Sequence, residues 1–210
     1  MLDCEGLIMK VNKIHVVLLI IVSFFFLWSL IKPVHYPIWI LEVAPSVIAI
    51  LFVFFLYKKL RFTSLTYSII ALLSILTFIG GHYTYDDVPF FDWLQQHYDF
   101  NRNHYDRFGH FMKGLLAIVI REILLIKTPL HIGKWVQCVA ISITLAIAAL
   151  YEIVEWIAGK IAKRETKDFL GAQGDIWDAQ WDMSLTLLGS FLALLLLTSW
   201  HNKLFQKEKS

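Results

Sequence analysis

Long apolar runs, each close to the length that crosses a bilayer, constrain this chain more than any other feature. A hydrocarbon core of ~30 Å needs ~20 consecutive apolar residues in a helix. Six segments meet or approach that length: Ile14–Ile31, Ile38–Tyr57, Thr63–Ile79, Phe108–Ile126, Trp135–Ile157 and Ser184–Trp200. In hydrocarbon every backbone polar group must be satisfied internally, so such runs fold as helices. The expected fold is an all-α polytopic membrane bundle of about six transmembrane helices, formed by 1–210 as one membrane domain.

Composition agrees. The 210 residues are 58% hydrophobic and 17% charged, below the charged quarter of an average soluble domain. The net charge of +2 comes without a basic stripe interleaved with aromatics, which excludes nucleic acid as a partner. Cys4 and Cys138 are far apart and offer neither a disulfide framework nor a thiolate metal site. Ile14–Ile31 lacks a small-residue cleavage signal and is read as a retained span.

Loop charges set the expected orientation. Ten Lys or Arg residues fall on the side of the termini and seven on the other, with the dense "KKLR" at 58–61 on the first side. Positive residues favour the cytoplasm, so both termini are expected there. The two long loops, about 80–107 and 158–183, then face outward. Within the first, "DDVPFFDWLQQHY" (86–98) has Asp87 and Pro89 as helix-start signals, followed by aromatics at helical spacing. It predicts a short amphipathic helix lying in the interface.

Four polar motifs interrupt the apolar pattern: "GGHYTYDD" (80–87), "YDRFGHFMKG" (105–114), "YEIVEW" (151–156) and "GAQGDIWDAQWDM" (171–183). Alternating spans bring all four to the outward end. Asp106, His110 and Lys113 share a helix face, and Arg121 continues that stripe ~16 Å deeper. Glu152 and Glu155 stand at i, i+3. Asp175, Asp178 and Asp182 stand at i, i+3, i+7, and their stripe continues as Thr186, Gly189 and Ala193. Small residues mark close helix contacts, so these aspartates are expected to face the bundle interior.

Carboxylates cost ~2.5–3.5 kcal/mol at mid-membrane on insertion scales. Counter-charges, shared protons or a divalent metal ion are the available compensations. The candidate metal ligands are Asp178, Asp182, Glu152 and His110. Candidate acid–base residues are His110, Asp106, Glu152 and Glu155. Lys113, Arg107 and Arg121 suit an anionic headgroup, and His82 and Tyr83 are further substrate-binding candidates. Each has a plainer role. The glutamates fit a headgroup region, His110 a hydrogen-bonded interface, Arg121 and Glu122 a structural pair, and Trp177 and Trp181 an aromatic belt.

Taken together, "GGHYTY", "YDRFGHF", "EIVEW" and "GDIWDAQWDM" resemble the YjdF-type family of bacterial inner-membrane proteins over most of the chain. That resemblance implies a multi-pass location in the bacterial inner membrane and no settled activity. A looser pattern is similar to VanZ-like membrane proteins, carried by Asp106, His110, Phe111, Glu152, Asp178, Asp182 and Gly189. It departs at Glu155 and Asp182, where that family often has amides, and implies an envelope role. Three functions are expected to compete: an envelope enzyme or binding protein acting on a lipid or lipid-linked substrate, a small ion- or proton-coupled transporter, and a structural or assembly subunit.

Overall fold

The computed structural model describes residues 12–161 and 173–209. Cys4, Lys10, Lys163, Arg164, Lys167 and the first two residues of "GAQGDIWDAQWDM" lie outside the described residues. Within them the chain forms α1 (Lys13–Leu30), α2 (Tyr36–Leu56), α3 (Ser64–Tyr83), α4 (Pro89–Tyr98), α5 (Tyr105–Lys113), α6 (Leu116–Lys127), α7 (Lys134–Ile161) and α8 (Asp178–Lys209). It is an all-α membrane bundle. Five of these helices are long and apolar enough to cross a membrane unaided: α1, α2, α3, α7 and α8.

The ends follow local chemistry. The Asn12 side chain accepts from the Ile14 N–H at 3.0 Å and starts α1. Pro37 opens α2, where its missing N–H costs no helical bond. Thr63 caps α3. That helix stops at Thr84 and Tyr85, whose φ values of 67° and 58° are left-handed and break the helix. The reversal folds the Tyr85 ring back over Gly80, where a Cβ would lie 2.4 Å from the ring. Gly81 meets α2 in the same way, at Val43 and Glu42. The paired glycines of "GGHYTY" are therefore packing residues.

The interfacial helix expected in the third loop is α4. Its cap is Val88 rather than Asp87, and Phe90, Trp93 and Tyr98 are exposed. Phe91 turns inward against Tyr105 and Phe108.

The fourth span is divided into α5 and α6, where the apolar pattern predicts one helix over 108–126. Between them Gly114, Leu115, Ala117 and Ile118 donate to carbonyls three residues back, a tighter winding than an α-helix. The cause lies on α8. A Cβ on Gly114 would lie 2.4 Å from the Gly189 backbone, and one on Gly189 would lie 2.1 Å from the Phe111 carbonyl oxygen. Two backbones touch here, and the helix is re-wound to allow it. Thr186 secures the contact by donating to the His110 carbonyl at 3.0 Å.

Together α5 and α6 run the full length of α3. Tyr105 at the start of α5 packs on Tyr85, just past the end of α3. Glu122 of α6 accepts from the backbone N–H of Thr63, at the other end. The described residues therefore run the length of the bundle six times, α5 and α6 together counting as one run. We call one end the loop end, carrying the α3–α5 and α7–α8 connections. The other is the terminal end, where Asn12 meets Ser64 and Ser64 meets Glu208.

Polar side chains gather at both ends. At the terminal end, buried Glu122 accepts from the hydroxyls of Thr63 (2.7 Å) and Thr66 (2.6 Å) and lies 3.0 Å from His201 Nε2. Arg121 pairs with His201 and Asn202. Between the ends lies an apolar layer of Leu65, Ile69, Ala117, Ile118, Val119, Ala193 and Leu194. Buried Ser74, Thr144 and Ser190 turn their hydroxyls onto carbonyls of their own helices.

Replacing Gly189 with Val should force α5 and α8 apart. We expect a loss of about 3 kcal/mol in detergent-micelle unfolding, the upper range for overpacking. Leu195→Val, on the exposed face of α8, should change little. Equal effects of the two substitutions would show that the glycine contact does not hold the bundle.

Candidate functional site

The α5–α8 contact determines what meets at the loop end. Asp106 and His110 lie on the face of α5 that packs on α8, and Asp178, Asp182 and Thr186 on the reciprocal face; all five are buried. Trp181 and Leu188, on the other side of α8, are exposed. The aspartate stripe faces inward, as its small-residue continuation predicts.

The inner layer centres on His110. One ligand atom each from Asp106, His110 and Asp182 all lie within 4.8 Å of one another. His110 Nε2 is 3.7 Å from Asp106 and 3.6 Å from Glu152, which reaches in from α7. The Lys113 ammonium lies 2.8 Å from the same nitrogen and 4.3 Å from the Tyr151 ring centroid. Glu42, Glu155, Tyr85 and Tyr151 close around Asp106 and Lys113 on the side of α2. Glu42, Asp106, Glu152, Glu155 and Asp182 all feel the charge of Lys113. Both Glu42 oxygens, one oxygen each of Glu152 and Asp182, and His110 Nδ1 are buried without a hydrogen-bond partner.

An outer layer covers this one. Arg102 pairs with Asp178 at 2.6 Å and reaches Asp175 at 3.8 Å. Arg107 pairs with Asp175, lies 3.9 Å from Asp178 and sits over the exposed Trp181 ring. Gln173 ties the two loops together. It donates to Asp86 at 3.0 Å and to the Asn103 carbonyl at 2.9 Å, and accepts from the Asn103 N–H. The Trp177 N–H, with Arg107 beside it, holds the Asp175 carboxyl below the usual range. Burial, with the charges of Arg107 and Arg102, lowers the His104 imidazole, which favours its neutral form. Asp86 is pushed the other way. Burial first, then the Asp106 charge, raises its carboxyl to about 7.

The sequence candidates divide by place. His110, Asp106, Glu152 and Asp182 come together, with Lys113 among them and Glu155 one turn along α7. Asp178 is drawn to Arg102 instead. Arg107 forms the rim. His82 and Tyr83 face away from the cluster, against Trp28 and the Ser29 carbonyl. Arg121 lies at the terminal end.

A family described as "Predicted membrane protein (DUF2238)" matches residues 14–203. The chain belongs to this family. One member of known sequence, "Inner membrane protein YjdF" of Escherichia coli (strain K12), is 38% identical over 164 residues, 78% of each chain. No solved structure matches. The family match covers all four polar motifs, so the cluster lies wholly within the family's shared region. The VanZ-like likeness rests on the residue pattern alone. The chain is a multi-pass membrane protein.

Tyr85, Asp86, Arg102, Tyr151 and Gln173 line the cluster and its cover, and sequence patterning did not select them. Glu42, an acid near the end of an apolar span, reads from sequence as either functional or interfacial; the structure sets it against Gly81 and the cluster.

Asp86 gives a pH prediction outside the spans. Its folded pKa, about 7, exceeds the unfolded value of 3.8, so the folded chain holds the extra proton between them. Its contribution to stability is therefore full below the unfolded value and is lost as pH rises through about 7. Unfolding temperatures across this window should fall more steeply for the wild type than for Asp86→Asn. Identical slopes would mean that Asp86 is not held protonated.

Proposed function

We propose that the loop-end cluster is a cation-dependent site acting on an anionic, lipid-borne substrate of the bacterial envelope. The observation that carries this reading is the convergence of Asp106, His110 and Asp182 within 4.8 Å, with Glu152 beside the same histidine. Ligand bonds are ~2.0–2.6 Å long, so small side-chain movements would let these atoms share one ion. Carboxylate oxygens with one imidazole suit Mg²⁺, Mn²⁺, Zn²⁺ or Fe²⁺. Such an ion would supply Lewis acidity.

The protein's own groups have separate tasks. Asp106, Asp182, Glu152 and His110 hold the cation. Lys113 supplies a positive charge beside it, and Glu155 accepts or returns a proton at the Tyr151 side. Arg107, at the rim beside exposed Trp177 and Trp181, suits a phosphate or carboxylate arriving from the headgroup layer. The inner-membrane description of the YjdF relative and the Lys/Arg bias support a reading in which the termini are cytoplasmic and this site faces outward, toward envelope substrates.

A through-pathway for ions has less support. The apolar layer of Leu65, Ile69, Ala117, Ile118, Ala193 and Leu194 separates the two polar ends, and the hydroxyls nearby are spent on helix carbonyls. A docking role would favour an exposed polar surface, whereas Asp106, His110 and Asp182 are buried.

Elemental mass spectrometry of the purified protein tests the proposal. We expect near-stoichiometric metal in the wild type, and its loss in Asp106→Asn/Asp182→Asn, with both proteins eluting as the same folded species. A wild type that stays metal-free after incubation with each of the four ions would sink it and leave Lys113 as the resident cation.

A further inference from the structure

A second site lies at the terminal end, remote from the acidic cluster. α1 and α2 each pack on α3, and between them runs a groove of about 470 Å³. Its floor is Tyr67, Ile70 and Ala71 of α3. The groove is bounded along its length. Toward the loop end the Trp39 indole donates to Ser29 at 3.2 Å and packs on Phe26, joining α2 to α1. Toward the terminal end His15 and Tyr57 join the same helices at 2.8 Å. Sideways it is open, since Val16, Leu19, Phe54 and Phe55 on its rims are exposed.

The volume falls in the range of ligand pockets. The walls are apolar along α1 from Val16 to Val22, roughly two turns or ~10 Å. The polar end is followed by a basic turn. Lys58 lines the groove directly after Tyr57, and exposed Lys59 and Arg61 follow in the same turn. Arg61 also lies over the Tyr57 ring, 5.8 Å from its centroid. Glu208, the nearby acid, lines a neighbouring cavity together with Arg61 and is held by Ser64.

We propose that this groove binds one anionic phospholipid. The upper part of an acyl chain lies between α1 and α2 on the α3 floor, and the phosphate meets Lys58, Lys59 and Arg61. The shape argues for a chain. The basic turn at the polar end argues for a negatively charged head, because such pockets between membrane helices recognise anionic headgroups. His15 and Tyr57 mark the boundary between chain and head, with His15 Nε2 also anchored to Ser64 at 3.2 Å. The site follows the termini whichever way the chain is oriented, and it does not depend on the loop-end chemistry.

Native mass spectrometry of the full-length protein tests this. The protein is released from detergent after exposure to equal amounts of dioleoyl phosphatidylglycerol and dioleoyl phosphatidylcholine. We expect one phosphatidylglycerol retained per chain, at least tenfold in preference to phosphatidylcholine. Lys58→Ala/Lys59→Ala/Arg61→Ala should abolish that preference. Val53→Trp, which fills the groove and leaves the basic turn intact, should reduce retention of both lipids; it also serves if the triple variant does not fold. Equal retention of both lipids by the wild type would overturn the headgroup assignment. Unchanged retention in Val53→Trp would overturn the groove.

Discussion

The approach of α5 to α8 at Gly114 and Gly189 is the contact on which the rest depends. The Phe111 carbonyl lies against Gly189 so closely that any side chain there would collide with it. Over the next two turns toward the loop end, that closeness brings His110 and Asp106 to Asp182. The same contact divides the fourth span. A regular helix through Gly114 would keep its phase, and the tighter winding between Phe111 and Ile118 changes it. The residues of α6 thus face the bundle in a different register from those of α5. Close backbone packing, rather than polar attraction, is what collects the acids. Their mutual repulsion then has to be met by Lys113 and by whatever cation or protons the cluster takes up.

Most of the fold was legible because hydrophobic length in a membrane is a strong signal. The inward stripe of Asp178, Asp182, Thr186, Gly189 and Ala193 was legible because helix periodicity and small residues agreed. The gathering of four motifs at one end followed from the alternating direction of successive spans. Other features were hidden because they depend on groups far apart in sequence. The break at Gly114 needs Gly189, seventy-five residues on. Asp178 reads as a ligand until Arg102, in the aperiodic stretch "NRNH", takes it at 2.6 Å. Arg121 continues the stripe of His110 only in a regular helix; the winding between Phe111 and Ile118 shifts it, and only the positions of His201 and Asn202 show which end it serves. His82 sits in a polar motif, yet the left-handed turn at Thr84 and Tyr85 sends Tyr85 into the cluster and leaves His82 against α1.

The two polar ends differ in how far their polar atoms are satisfied, and this separates support from chemistry. At the terminal end both Glu122 oxygens have hydrogen-bond partners, from Thr63, Thr66 and His201. A carboxylate so enclosed holds α3, α6 and α8 together, and it has no capacity left for a ligand. At the loop end, Glu42, Glu152 and Asp182 keep buried oxygens without partners, and His110 keeps a ring nitrogen. Buried polar groups in folded proteins nearly always have partners, and exceptions call for a reason. Arg121 Nε is such an atom at the terminal end, but the acceptors among them gather at the loop end, on the inner side of a two-loop cover tied by Gln173. Five carboxyl groups around one ammonium leave acceptors in excess of donors. Such an arrangement is costly to keep in a folded membrane protein unless something positive, a proton or a metal ion, completes it. The terminal-end cluster explains how the bundle holds. The loop-end cluster is built to receive.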